Sequence, residues 1–116
     1  MIPRRRSKFS NVRVTVAGFT FDSKSEATHY LRLRELARSG RIAELTVHPV
    51  FKLAVNGYPI CRYVADFSFV AVSTGQRIVQ DVKGCPTQVY RLKKRLLRAI
   101  QGIEIQEIGP NGEIRA

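Results

Sequence analysis

Acidic residues and cysteines are scarce in this sequence, and long apolar runs are missing altogether. Cys61 and Cys85 are the two cysteines among 116 residues, and they show no C-x-x-C spacing. That excludes a cysteine-ligated zinc site and a dense disulfide framework, so both are read as reduced, structural thiols. No apolar stretch approaches the roughly 20 residues needed to cross a bilayer, which excludes a membrane-spanning helix. The first ten residues are basic without the apolar core of a secretory signal, so a soluble cytoplasmic protein is expected. Tryptophan is absent. No segment joins a basic face to the aromatic and leucine-rich face of an interfacial helix, so no membrane surface is expected as a partner.

What is present suits one folded domain. Apolar residues make up 44% of the chain and charged residues 25%, close to globular averages and far from disordered or collagen-like compositions. Twenty Lys and Arg stand against nine Asp and Glu, a formal charge of +11. So strong a positive field on so small a body points to a polyanion, with nucleic acid the expected partner.

Residues 1–10, with Arg4, Arg5, Arg6 and Lys8, read as a flexible basic arm suited to phosphate contact, because like charges in a row repel and bury nothing. A single domain follows over 11–109, and 110–116 reads as a frayed tail. Alternation in V-R-V-T-V and F-T-F around Gly18 predicts a short hairpin ending at Asp22. Ser23 with Glu26 matches a capping box, and Ser39-Gly40 is a stop signal, which together predict a helix over 24–38. Its inward face holds Tyr30, Leu33 and Ala37, and Glu26 lies one turn earlier on that same face. Strands are expected over 42–47 and 50–55, split by His48-Pro49, with a turn at Asn56-Gly57. A long strand over 63–72, a turn at 73–75 and a strand over 77–83 come next. A helix from about Thr87 to Gln101 should bury Val89, Leu92, Leu96 and Ala99. Arg91, Lys94, Arg95 and Arg98 then form a basic stripe available to phosphate. Residues 103–108 complete the set as a last strand.

Two of the nine acids, Asp66 and Asp81, interrupt apolar strand patterns, where Asp packs poorly. Asp81 and Lys83 are two apart, so they project from one face of a strand, while Gln80 and Val82 take the other. If the strands pair through the turn at 73–75, Asp66 lies across from Asp81 and Lys83, and Glu26 can complete the cluster. Carboxylates sharing a site repel unless a cation neutralises them. A hard divalent ion does so: Asp66, Asp81 and the Val82 carbonyl are a sufficient protein share for magnesium, whose open positions take water and phosphate. The metal would then lower the pKa of a bound water, with Lys83 orienting that water or stabilising developing charge. Glu26 is equally explained as a helix cap. A structural ion pair is the plain alternative for Asp81 and Lys83, one that returns little stability after desolvation. His29 and His48 have no partner at metal-ligand spacing and are read as structural. Tyr90 either stacks on a base or packs.

The order Glu26, Asp66, Asp81-x-Lys83 resembles the PD-(D/E)XK nuclease superfamily, with Ala65 where the name of that signature places Pro. S-K-S-E at 23–26, L-x-x-G-x-I-x-x-L at 36–45, Y-x-A-D-F at 63–67, D-V-K-G at 81–84 and Y-R-L-K-K at 90–94 are similar to a small phage-associated family placed among these nucleases. The resemblance spans about 19–97. It implies an α/β, restriction-endonuclease-like core: a mixed central sheet flanked by an N-terminal helix and a C-terminal basic helix. It further implies a Mg2+ or Mn2+ requirement, cleavage of DNA, and residence in a bacterial or phage-infected cell. The expected activity is metal-dependent endonucleolytic hydrolysis, with Asp66, Asp81, Lys83 and Glu26 as its residues. A branched recombination substrate would favour a homodimer, since two symmetric cuts need two sites related by a two-fold axis. A non-catalytic basic binder that kept the fold explains the charge equally well, but not the two strand acids.

Overall fold

The structure, a computed structural model, describes residues 13–82 and 87–115. The basic arm with Arg4, Arg5, Arg6 and Lys8, together with Lys83 and Cys85, lies outside the described residues. The fold is mixed α/β, with a central mixed sheet and two helices. Strands β1 (Val14–Val16) and β2 (Phe19–Phe21) form the expected hairpin. Helix α1 (Lys24–Arg38) starts where Ser23 caps it: the Ser23 hydroxyl accepts from the Glu26 N–H at 3.2 Å. Strands β3 (Ile42–Val47), β4 (Val50–Val55), β5 (Tyr58–Val64), β6 (Phe67–Ala71) and β7 (Gln76–Val82) follow. Helix α2 (Gln88–Gln101), capped by the Thr87 hydroxyl, then leads into β8 (Ile105–Ile108).

The main sheet has the order β3-β6-β7-β8, antiparallel except for the parallel β7/β8 pair, which the α2 crossover permits. One face packs on α1 through Phe21, Tyr30, Leu33, Phe67, Phe69, Val82 and Ile108. The other packs on α2 through Leu53, Tyr63, Ala65, Val79, Leu97 and Ile105. Strand parity therefore sends Gln80 and Val82 toward α1, and Val79 and Asp81 toward α2.

Three expectations need correction. The long strand over 63–72 is two strands, broken at Ala65-Asp66, because the ribbon it belongs to bends there. Val47 pairs with Phe67 and Val50 with Val64, so the register is continuous across the corner from Thr46 to Leu53, with His48-Pro49 opposite Ala65-Asp66. His48 adopts left-handed backbone, φ 55°, and Pro49 has no N–H to give the ladder. The pairing survives as His48 N–H to the Asp66 carbonyl at 2.9 Å and Ala65 N–H to the Pro49 carbonyl at 3.1 Å.

The second correction concerns the α2 stripe. Val89 and Leu92 are 61% and 56% exposed and Ala99 is exposed; the packed face holds Tyr90, Leu96, Leu97 and Ile100. Apolar side chains occupy more of this helix than one face, and the rotation adopted lets Tyr90 and Lys94 reach Glu107. The third is the tail. Past β8 the chain turns back rather than fraying, with an Ile108–Ile114 bridge and Arg115 N–H donating to the Glu107 carbonyl.

Among the described residues no helix is long and apolar enough to cross a membrane.

Candidate metal centre

The ribbon's corner is where sequence-distant acids meet. In a narrow antiparallel pair both residues exchange N–H···O bonds. Here His48 gives its N–H to Asp66, but the return donor, Asp66 N–H, turns instead to Asp81 Oδ1 at 3.1 Å. Asp66 answers through its side chain: Oδ2 accepts from the Val82 N–H at 2.8 Å. The register Phe67–Gln80 puts Asp66 and Asp81 next in line, so the two carboxylates stitch β6 to β7 where the regular ladder stops.

Glu26 reaches the same corner from the first turn of α1. Potential ligand atoms of Glu26, His48 and Asp66 all lie within 4.8 Å of one another. The Ser23 half of the capping box forms, yet Glu26 Oε1 is buried with no hydrogen-bond partner. Burial, and then the charge of Asp66, pushes the Glu26 carboxyl up to about 7. Burial also raises Asp66, against the lowering effect of the Val82 N–H and of His48. Asp81 rises to about 6 by burial, opposed by the Asp66 N–H. Burial holds all three acids above their ordinary range, Glu26 is raised further by Asp66, and Glu26 has an orphaned buried oxygen, a setting that a cation would relieve.

A polar cluster borders it on the α2 side. Glu107, beside Asp81 in the β7/β8 register, accepts from Tyr90 Oη at 2.7 Å and Lys94 Nζ at 3.0 Å, and these donors hold its carboxyl below the usual range. Burial and the bond to Glu107 push the Tyr90 phenol up. Lys94 is thus committed within the fold. Arg98 pairs with Glu104 at 3.0 Å on the surface, while Arg91 and Arg95 are exposed and form no ion pair among the described residues.

The structure therefore brings Glu26, Asp66 and His48 together, while Asp81, which its strand parity turns toward α2, is not in that group and adjoins it through its hydrogen bond from the Asp66 N–H. Lys83 lies outside the described residues. Val82 takes part through its N–H. His48 was missed because it stands 18 residues before Asp66 with no ligand-like spacing; the His-Pro break between two strands, which bends the ribbon onto Asp66, was the available signal. The other histidine is accounted for structurally: buried His29 pairs its Nε2 with Gln80 Oε1 at 2.7 Å, and Gln80 Nε2 donates on to Gln106.

Residues 6–106 match the family described as protein of unknown function DUF1064, and the chain belongs to that family. Neither the curated proteins nor the solved structures gave a match.

Proposed function

We propose that this protein is a metal-dependent endonuclease of the PD-(D/E)XK kind, hydrolysing phosphodiester bonds in DNA. One observation carries the reading: Glu26 from a helix and Asp66 from a strand end converge, with Asp81 hydrogen-bonded at the same corner, in a chain of charge +11. Acids in so basic a protein would repel the phosphate they approach unless a cation intervenes. Glu26 and Asp66 would hold the divalent ion, Mg2+ or Mn2+. Asp81, with one oxygen fixed on the Asp66 N–H, would border the ion and hold Asp66 in place. Once bound, such an ion would lower the pKa of a water and offset charge on the phosphoryl oxygens in the transition state. From the sequence pattern Lys83, two residues past Asp81, is the candidate to orient the attacking water. Exposed Arg91 and Arg95 would take the DNA backbone.

The test is incubation with supercoiled and four-way-junction DNA in Mg2+, in Mn2+ and in chelator. Metal-dependent nicking that falls roughly 10²-fold or more in Asp66→Asn and in Asp81→Asn is the expected result, the scale of losing one group that stabilises the transition state. Tight DNA binding with no cut under either ion would instead define a non-catalytic binder. Paired cuts across the junction would indicate a two-fold dimer.

A further inference from the structure

We infer that His48 is a metal ligand, and that its imidazole makes this centre select Mn2+ over Mg2+. The inference rests on the reading of the Glu26 and Asp66 corner as a divalent-ion site. A site built from carboxylates and a carbonyl alone suits Mg2+, which demands oxygen donors in near-ideal octahedral geometry. An imidazole nitrogen is a softer donor that favours first-row transition ions over Mg2+; Mn2+ is the weakest binder of that series, yet it accepts a nitrogen ligand more readily than Mg2+ does.

The fold positions that nitrogen deliberately. A His48 ligand atom lies within 4.8 Å of carboxylate oxygens of Glu26 and Asp66; one ion with ligands at about 2.1 Å spans at most about 4.2 Å, so binding would draw the three atoms slightly together. His48 holds left-handed backbone at φ 55°, a conformation uncommon outside glycine though enriched for His, Asn and Asp. Its N–H is tied to the Asp66 carbonyl, so the bend that orients the aspartate also orients the imidazole. The Phe21 ring stands 5.9 Å from the His48 ring and limits its swing. Asp81 spends Oδ1 on the Asp66 N–H and is not among the residues whose ligand atoms cluster, which makes His48 the donor that joins the Glu26–Asp66 pair.

The full-length chain is titrated with Mn2+ and followed by electron paramagnetic resonance, with Mg2+ as competitor. His48→Asn keeps a residue that tolerates left-handed backbone, and His48→Gln serves as a second variant should the first fold poorly. The wild-type Mn2+ complex is expected to show nitrogen modulation in its spin-echo spectrum. The chain has two histidines, and His29 is buried on Gln80, so that signal reports His48. Both variants are expected to lose it and to weaken Mn2+ binding about tenfold or more, while Mg2+ affinity moves less than about threefold, as an oxygen-preferring ion should. Nitrogen coupling that persists in the variants, or Mn2+ and Mg2+ affinities that fall equally, would overturn the inference and leave the metal site standing. Absence of any Asp66-dependent Mn2+ binding would remove site and inference together. DNA cleavage is not read in this experiment, so the ligand assignment and the nuclease activity fail separately.

Discussion

Glu26 carries a carboxyl that titrates near 7 in the fold against 4.5 ordinarily, and Asp81 one near 6 against 3.8. The folded protein thus binds protons that the unfolded chain has already released. Without metal, the contribution of these two groups to stability is full below about pH 4 and is lost as pH rises, through about 6 for Asp81 and about 7 for Glu26. Glu26→Gln should remove part of that slope. In chelator, its urea midpoint should exceed wild type at pH 8 and converge with it at pH 4; parallel curves for the two proteins would contradict the origin given for the shift. Glu26 itself was legible as an inward-facing acid from the helical period alone. Its partner His48 was not, because side chains that meet at a bend obey no spacing rule in a linear chain.

Elements were read well where a local signal ends them and poorly where tertiary contacts decide. Ser23, with Ser39-Gly40, bracketed α1 at its observed limits, and Asn56-Gly57, both at positive φ, placed the β4–β5 turn. The bend at Ala65-Asp66 escaped notice because Y-V-A-D-F-S-F is extended throughout; the break comes from the partner strand's His48-Pro49 and from Asp81 capturing a ladder donor. Helix α2 was placed correctly along the chain and wrongly about its axis, since two overlapping apolar faces compete and Glu107 decides between them from another element. The rotation has a measurable consequence. Leu97 is fully buried, so Leu97→Ala should cost about 2–5 kcal/mol. Leu92→Gln should fall within about 0.5 kcal/mol of wild type. Chemical denaturation of the two variants separates the observed face from the expected stripe.

Across the whole molecule, a charge of +11 makes affinity for DNA a matter of ionic strength. Each phosphate contact adds close to one to the slope of log K against log salt. Arg91→Gln combined with Arg95→Gln should lower that slope by about two and weaken binding to unrelated duplexes alike; fluorescence anisotropy across a salt series measures it. An unchanged slope would move the phosphate track off α2. The corner where Asp81 stands in for a missing backbone acceptor has a different kind of consequence. Glu26 can be discarded by mutation without undoing a strand, whereas Asp66 and Asp81 also hold β6 against β7. Descendants of this chain that abandon chemistry should therefore shed their acids unevenly, the helical glutamate first and the two stitching aspartates last.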